Sequence, residues 1–143
     1  MRYLAILVMI IILTTGCRDK ENAPLVKEVS SGIITLRVQA ERVEASRIKV
    51  HAEIVNTGDR PIEILHMDPL VGIQAGPRGQ EPEFVRSFVG IRGQLDSNKV
   101  YSYDEDRMID IRRKDKVLYA QAILSVGEED ITIDLDIPLN KIR

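Results

Sequence analysis

The clearest fold information lies in residues 48–64, which read IKVHAEIVNTGDRPIEI. Apolar and polar residues alternate in the first half of this stretch, and a period of two is typical of a strand with one face in a core and the other in water. The apolar positions are Ile48, Val50, Ala52 and Ile54. Residues 56–61 then predict a turn, because Gly58 is free to adopt a positive φ and Pro61 suits the start of a strand. We therefore expect two strands joined by a tight turn, as in a β-hairpin.

Two further regions show the same alternation. One covers residues 33–40, where Ile34, Leu36, Val38 and Ala40 form the apolar set. The other comprises residues 118–126 and 131–139, separated by the sequence GEED at residues 127–130. Two alternating runs joined by a short polar turn predict a β-hairpin. Pro138 lacks an N–H to donate, so we expect it at a strand end or on a sheet edge.

The middle of the chain is less regular. Apolar runs indicate three more short strands, at residues 70–73, 84–89 and 100–103. The Gly and Pro residues of 76–82 predict a loop, and the highly charged segment 104–116 predicts a loop with one helical turn. In total we expect seven or eight strands and no amphipathic helix. Such a pattern predicts an all-β fold, an antiparallel β-sandwich.

The unit at residues 48–64 and the hairpin at residues 117–139 resemble the layout of the Ig-like and fibronectin type III-like sandwiches of bacterial envelope proteins. That broad group includes Ig-like intracellular proteinase inhibitors. The resemblance implies an Ig-like β-sandwich over residues 33–143. The Cys, Trp and Cys residues of antibody domains are missing, so only the architecture is implied, and this architecture hosts many functions.

Composition narrows the class of protein. The chain has 143 residues, of which 44% are hydrophobic and 29% charged, and this suits one globular domain with its own core. A single Cys excludes an internal disulfide. The 20 basic and 22 acidic residues give a net charge of -2, so there is no overall basic character to indicate a nucleic-acid partner.

The N-terminus carries a targeting pattern. Arg2 precedes an unbroken run of ten apolar residues at 4–13, too short to span a bilayer but within the range of a secretory signal. The run ends in LTTGC at residues 13–17. This stretch resembles the lipobox of bacterial lipoproteins, in which small residues precede a Cys that is lipidated and becomes the new N-terminus. The resemblance implies a cleaved signal peptide at residues 1–16, cleavage between Gly16 and Cys17, and fatty acyl chains, palmitate among them, on Cys17.

The lipobox also implies a location. Acyl chains at about 0.8 kcal/mol per buried methylene would hold the chain on a membrane of the cell envelope. Arg18 follows the Cys where Asp retains enteric lipoproteins on the inner membrane, so the outer membrane facing the periplasm is expected in a Gram-negative cell. Residues 17–32 are charged and end in Ser-Ser-Gly, and they predict a flexible tether. Cleavage removes Arg2, leaving 19 basic and 22 acidic residues, so we expect the lipid rather than charge to bind the membrane.

Residues that could carry chemistry are few. The chain has two histidines and no Gly-x-Ser-x-Gly motif. His51 falls in the polar register of its strand and is expected at the solvated surface, and His66 with Met67 lacks the further ligands of a soft-metal site. The acidic residues at 104–110 lack the spacing of a calcium loop and are expected to be solvated. We therefore predict no catalytic residue, no metal ligand and no small-molecule cofactor.

A binding surface is what remains. Tyr119 and Ile123 lie in the register opposite the aliphatic set of their strand, and Leu65 and Met67 are expected to do the same on theirs. If the strands are neighbours, these four residues form an outward apolar patch that binds another envelope protein. The alternative for this face is cover by the middle loops, and the last strand offers an edge for added strands. Two other functions stay open, namely protease inhibition through a protruding loop at residues 76–82 and, less favoured, an envelope enzyme or metal carrier.

Overall fold

The computed structural model describes residues 23–143. The predicted signal peptide, the cleavage site at Gly16 and Cys17, and the first part of the predicted tether lie outside the described residues. The described chain contains nine strands and one short 3-10 helix. They are β1 (Leu25–Ser31), β2 (Ile34–Glu44), β3 (Arg47–Asn56), β4 (Ile62–Gly76), β5 (Ser87–Leu95), β6 (Val100–Tyr101), β7 (Arg107–Asp110), β8 (Val117–Val126), β9 (Glu129–Pro138) and the 3-10 helix Leu139–Lys141.

The strands form two antiparallel sheets. The first has the order β1-β2-β3-β6, with β7 also pairing β3, and the second has the order β5-β4-β8-β9. The order matches that of an Ig-like sandwich. In the first sheet, strand A corresponds to β2, strand B to β3 and strand E to β6 together with β7. In the second sheet, strands C, F and G correspond to β4, β8 and β9. The predicted all-β, Ig-like antiparallel sandwich is thus confirmed, with nine strands in place of seven or eight.

The alternating residues of the sequence build the core. On β3, Ile48, Val50 and Ile54 are fully buried, and the inward positions of β8 and β9 face them from the second sheet. The core is almost entirely aliphatic, so its cohesion comes from interdigitating branched side chains between the sheets. The predicted hairpin of β8 and β9 is confirmed, with Gly127 at a positive φ of 61° in its turn.

The two strands predicted at residues 48–64 are present as β3 and β4, but they do not pair as a hairpin. They belong to different sheets, so residues 56–61 cross between the sheets. Buried Asn56 holds the crossing: its Nδ2 donates to the carbonyl oxygens of Arg60 (2.7 Å) and Leu95 (3.2 Å), and its Oδ1 accepts from the Gly58 amide (2.9 Å). Alternation alone does not reveal the crossing, because it identifies a buried face without saying which strand lies beside it.

The predicted tether is too long. Residues 25–31 form β1, paired along its whole length with β2, and Gly32 takes a positive φ of 58° in the connecting turn. The boundary expected at residue 33 is therefore wrong, and the sandwich begins at Leu25. An outermost strand covers little core, so β1 needs few apolar residues and its sequence resembles that of a linker.

The middle of the chain also departs from prediction. The strand expected at residues 84–89 begins only at Ser87, and the predicted loop 104–116 contains β7 rather than a helical turn. The strand expected at residues 70–73 is the second part of the long β4, whose pairing with β8 is interrupted between His66 and Val71. Within residues 23–143, no helix has both the length and the apolar character needed to cross a bilayer.

Candidate protein-binding surface

The predicted binding residues lie on the outer face of the second sheet. Neighbouring residues of a strand point to opposite faces, and His66 and Leu124 are buried in the core, so Leu65 and Ile123 face outward. Leu65 is exposed, whereas Met67 and Ile123 are half-buried. Tyr119 shares this face but is buried. The four residues therefore do not form one exposed patch.

Tyr119 is covered by residues 77–86, which we call the strap. The Tyr119 hydroxyl donates a 2.6 Å hydrogen bond to the carbonyl oxygen of Pro77, and the Glu83 amide donates to Gln74 Oε1 at 3.0 Å. The Phe84 ring lies so close to Gly72 that a Cβ on that glycine would come within 2.6 Å of ring atoms. The loop expected to protrude at residues 76–82 is therefore part of a segment folded back on the sheet, the cover that we left as the alternative.

Arg86 fixes the far end of the strap. Its Nη1 donates to the carbonyl oxygens of Pro69 and Leu70, both at 3.0 Å, and its Nη2 donates to the Gln121 carbonyl oxygen at 2.6 Å. The guanidinium carbon also lies 5.7 Å from the centre of the Phe84 ring. Burial lowers the pKa of Arg86 from its ordinary value, and these carbonyl dipoles stand in for the water it has lost.

A new apolar feature appears where the strap enters β5. Val85, Phe88 and Val89 are 91%, 98% and 66% exposed, and we call these three residues the ridge. Phe88 and Val89 lie in a bulge of β5, where the register with β4 shifts between His66 and Asp68. Three bulky apolar side chains this exposed within five consecutive residues are typical of a contact site.

The ridge lies at an open sheet edge. Strand β5 pairs only with β4, so its other side has no ladder partner within the described residues. Leu65 extends the apolar surface to β5, because its side chain packs over Gly90. A Cβ atom added to Gly90 would lie 3.1 Å from Leu65 Cδ1. The last strand, β9, is the opposite edge of the sheet, but β1 of the first sheet runs beside it. Of the two edges, β5 is thus the more accessible for strand addition.

Sequence reasoning missed the ridge because it interpreted residues 84–89, FVRSFV, as a regular strand. The apolar residues occupy positions 84, 85, 88 and 89, a spacing that fits neither a period of two nor one helical face. That mismatch was the available indication that some of the four must be exposed.

The structure gathers polar side chains around His51. Its Nδ1 lies 2.7 Å from Asp106 Oδ1, and its Nε2 lies 3.2 Å from both Ser102 Oγ and Glu53 Oε2. His51 is thus half-buried and hydrogen-bonded, not simply solvated as expected. With a Ser hydroxyl at one ring nitrogen of His51 and an Asp carboxylate at the other, the arrangement resembles a hydrolytic triad.

Two features argue against hydrolysis at His51. The Glu53 carboxylate on Nε2 puts negative charge close to where a reacting oxyanion would develop. The adjoining cleft of about 150 Å³ is well below the roughly 300 Å³ typical of ligand sites. The arrangement instead fastens β3 to the segment between β6 and β7.

His66 serves the core rather than a metal. It is 2% exposed, and its Nδ1 lies 2.7 Å from the Met67 carbonyl oxygen, which only accepts, so this nitrogen carries the hydrogen. Its Nε2 lies 3.1 Å from the Tyr101 hydroxyl, and the rings of Tyr101 and Tyr103 contact it edge-on. This aromatic cluster joins β4 to the edge of the first sheet.

The acidic residues at 104–110 point in different directions. Asp104 accepts from the backbone amides of β4, Asp106 faces His51, and Asp110 forms an ion pair with Arg47. Among residues 23–143, no group of three His, Cys, Asp or Glu side chains converges to hold a metal ion. The calcium alternative gains no support from this geometry.

Comparisons with known proteins show no family and carry no argument about what this chain does. No protein-family model and no curated protein matches the sequence. Among solved structures, the chain is similar to the crystal structure of the GAE domain of GGA2p from Saccharomyces cerevisiae, with a TM-score of 0.37 and 12% identity over 81% of this chain and 97% of that one. A likeness this distant carries no inference about partners. The strand order and the surface define an Ig-like β-sandwich with an apolar ridge on an open sheet edge.

Proposed function

We propose that the chain is a lipid-anchored binding module of the cell envelope, which holds another envelope protein through the ridge and the free edge of β5. The proposal assigns it no catalytic step and no cofactor. The observation that carries the proposal is the 98% exposure of Phe88 between two other exposed apolar residues. An isolated exposed Leu would need no explanation, but three such residues at the start of an edge strand do.

The energetics favour a protein partner. Burying one Val or Phe side chain contributes about 1.5 to 3 kcal/mol, so the ridge offers about 5 to 9 kcal/mol before the entropy cost of association. Backbone N–H and C=O groups on the free side of β5 supply additional hydrogen bonds for an extended segment. A partner strand laid along β5 would cover the ridge and complete the sheet at the same time.

The anchor part of the proposal rests on the LTTGC stretch. Cys17 is the only Cys of the chain and falls at the position that a lipobox requires. Because the sandwich begins at Leu25, the lipid would attach only a few residues before the first strand. Cys17→Ser should abolish labelling by a fatty-acid analogue and release the protein from membranes. A variant that stays labelled and membrane-bound would refute the anchor.

The binding part is tested by crosslinking in intact cells. A photo-crosslinking residue in place of Phe88 should capture a defined protein, whereas the same residue in place of Thr132, an exposed outward position on β9, should not. Identical products from both positions, or none from position 88, would refute the ridge as the contact. Phe88→Ser should lower partner capture at a neighbouring crosslinking site without changing the unfolding midpoint, since the ring makes almost no intramolecular contact.

A further inference from the structure

The two ends of the sandwich carry opposite charge. One end, which we call the basic pole, is formed by residues 42–47, 76–79, 110–116 and 138–143. Backbone hydrogen bonds join these segments, from Ile111 N to Ser46 O (2.7 Å), from Lys116 N to Gly76 O (2.8 Å) and from Leu139 N to Lys116 O (2.9 Å). The pole contains nine basic and three acidic residues: Arg42, Arg47, Arg78, Arg112, Arg113, Lys114, Lys116, Lys141 and Arg143 against Glu44, Asp110 and Asp115.

The opposite end is the acidic pole, formed by residues 31–33, 56–61, 95–100 and 126–130. Strand register brings these turns together, with Ile62 opposite Leu95 and Ile64 opposite Val126. It contains five acidic and two basic residues: Asp59, Asp96, Glu128, Glu129 and Asp130 against Arg60 and Lys99. The net charge of the whole chain hides this separation.

Most of the positive charge at the basic pole is free. Of its acids, Glu44 and Asp110 both pair with Arg47, and Asp115 is buried against Arg112. Six exposed basic residues form no ion pair with an acidic side chain of the described chain: Arg78, Arg113, Lys114, Lys116, Lys141 and Arg143. Asp115 also accepts from the Arg112 amide at 2.8 Å, which fixes the turn that presents Arg113 and Lys114.

The chain enters the sandwich at this same pole. Ala23 and Pro24 line one cleft together with Pro138, Lys141 and Arg143. Seven residues, 18–24, separate Cys17 from the start of β1, and such a segment reaches at most about 25 Å. A lipid on Cys17 would therefore keep the basic pole close to the membrane surface.

We infer that the basic pole rests on anionic phospholipid headgroups of the membrane to which Cys17 is anchored. This inference depends on the proposed lipid anchor. Charge interactions in salt extend over about 8 Å, whereas strands of ten residues separate the poles by about 30 Å, so the surface responds to the nearer pole and not to the net charge. On this inference, charge at the basic pole adds to the lipid in binding the membrane, a contribution that the net charge alone does not predict.

The size of the effect follows from the number of basic residues. Each Lys or Arg near an anionic surface favours the docked state by about fivefold. The double variant Lys114→Gln/Lys141→Gln should therefore lower the ratio of docked to undocked molecules by about 25-fold. Arg60→Gln/Lys99→Gln removes the same charge from the acidic pole and should leave the ratio unchanged.

The experiment uses the full-length protein purified from cells and reconstituted into vesicles that contain a headgroup-labelled acceptor lipid. A donor fluorophore is attached to Asn140→Cys at the basic pole or to Gln94→Cys near the acidic pole; both residues are exposed. Vesicles of phosphatidylcholine are compared with vesicles that also contain phosphatidylglycerol. We expect energy transfer from position 140 to be stronger with phosphatidylglycerol than with phosphatidylcholine alone, where only the anchor holds this end near the surface. Transfer from position 94 should be weaker in both vesicles, and the increase at position 140 should disappear in high salt or in the Lys114→Gln/Lys141→Gln variant.

The outcomes separate the two proposals. Equal transfer from both positions, or transfer from position 140 that does not depend on phosphatidylglycerol, would overturn the basic-pole inference. Labelling of the unsubstituted chain would reveal a free Cys17 thiol, and failure to float with phosphatidylcholine vesicles would then refute the anchor. If the anchor is refuted, binding to vesicles that contain phosphatidylglycerol but not to pure phosphatidylcholine vesicles would still support the basic-pole inference. Binding to neither kind of vesicle would refute the anchor and the basic-pole inference together.

Discussion

Asp104 joins the two sheets and offers the sharpest test of how the sandwich is held. Its side chain is 6% exposed. Oδ1 accepts a 3.0 Å hydrogen bond from the Leu70 amide, and Oδ2 accepts a 2.8 Å bond from the Val71 amide. Leu70 lies in the part of β4 where its pairing with β8 is interrupted, and Val71 is the residue at which this pairing resumes, opposite Ala122. The carboxylate therefore supplies acceptors for two amides at the end of this interruption.

The expected cost of Asp104→Ala follows from these two bonds. A hydrogen bond to a charged partner contributes about 1.5 to 3 kcal/mol, and a donor left buried without an acceptor costs a similar amount. Losing both acceptors should lower the free energy of unfolding by about 3 to 5 kcal/mol, out of the roughly 5 to 15 kcal/mol typical of a domain. At about 2 to 4 °C per kcal/mol, the melting temperature should fall by about 10 °C.

Urea unfolding followed by circular dichroism measures this effect. Asp104→Asn keeps one acceptor oxygen but turns its NH2 group, a donor, toward the other backbone amide, so its loss of stability should be comparable to that of Asp104→Ala. Glu105→Ala alters the exposed neighbouring acid and should stay within about 0.5 kcal/mol of the parent chain. A loss below about 1 kcal/mol for Asp104→Ala, with an unchanged denaturant slope, would refute the assignment of Asp104 as the link between the sheets.

Three further predictions concern the strap and the aromatic cluster. Gly72→Ala should displace the Phe84 ring, reduce stability by about 1 to 3 kcal/mol and speed tryptic cleavage at Arg78, and adding Phe84→Ala should remove the clash, so that the two losses do not add. Tyr119→Phe should cost about 1 kcal/mol in thermal unfolding by losing the bond to Pro77, and no loss would place the hydroxyl in water. Burial raises the pKa of Tyr101 above its ordinary 10.0, so its contribution is intact below that pH and is lost as pH rises through the raised value. Tyr101→Phe should accordingly unfold with a flatter pH dependence from pH 10.0 upward, and an equal slope in both chains would contradict this.

The parts of the fold that sequence predicts are those where one residue type is physically required. Inward positions of β2, β3, β8 and β9 must be apolar because they meet across a dry interior. Since every second residue of a strand points inward, the sequence alternates between apolar and polar residues. A β-hairpin needs a short turn with a flexible residue between two strands. The sequence GEED at residues 127–130 supplies Gly127 for the turn, and alternating residues flank it on both sides. Core residues and the final hairpin were therefore predictable.

Other parts follow from relations between distant segments. The crossing from β3 to β4 depends on which sheet has room for the next strand, and local periodicity contains no information on that choice. Strand β1 was mistaken for a tether because an edge strand exposes most of its side chains. The charged poles could not be predicted from the sequence because they are assembled from eight separate turns and chain segments. The net charge of -2 sums over both poles and so does not reveal the difference between them.

The positions of the ridge and the basic pole bear on each other. An exposed Phe beside a lipid anchor suggests a second explanation, insertion of the ring into the bilayer. However, His66 of β4, which borders the bulge that carries Phe88 and Val89, pairs with Leu124 of β8, whereas Gly76 at the basic pole pairs with Val117. Leu124 and Val117 are seven positions apart, which corresponds to about 23 Å along the strand. A molecule that rests on its basic pole would hold Phe88 well above the headgroups and on the side of the sandwich. The same orientation that brings Lys114 and Lys141 to the membrane thus makes the ridge accessible to a protein standing beside it, and not to lipid.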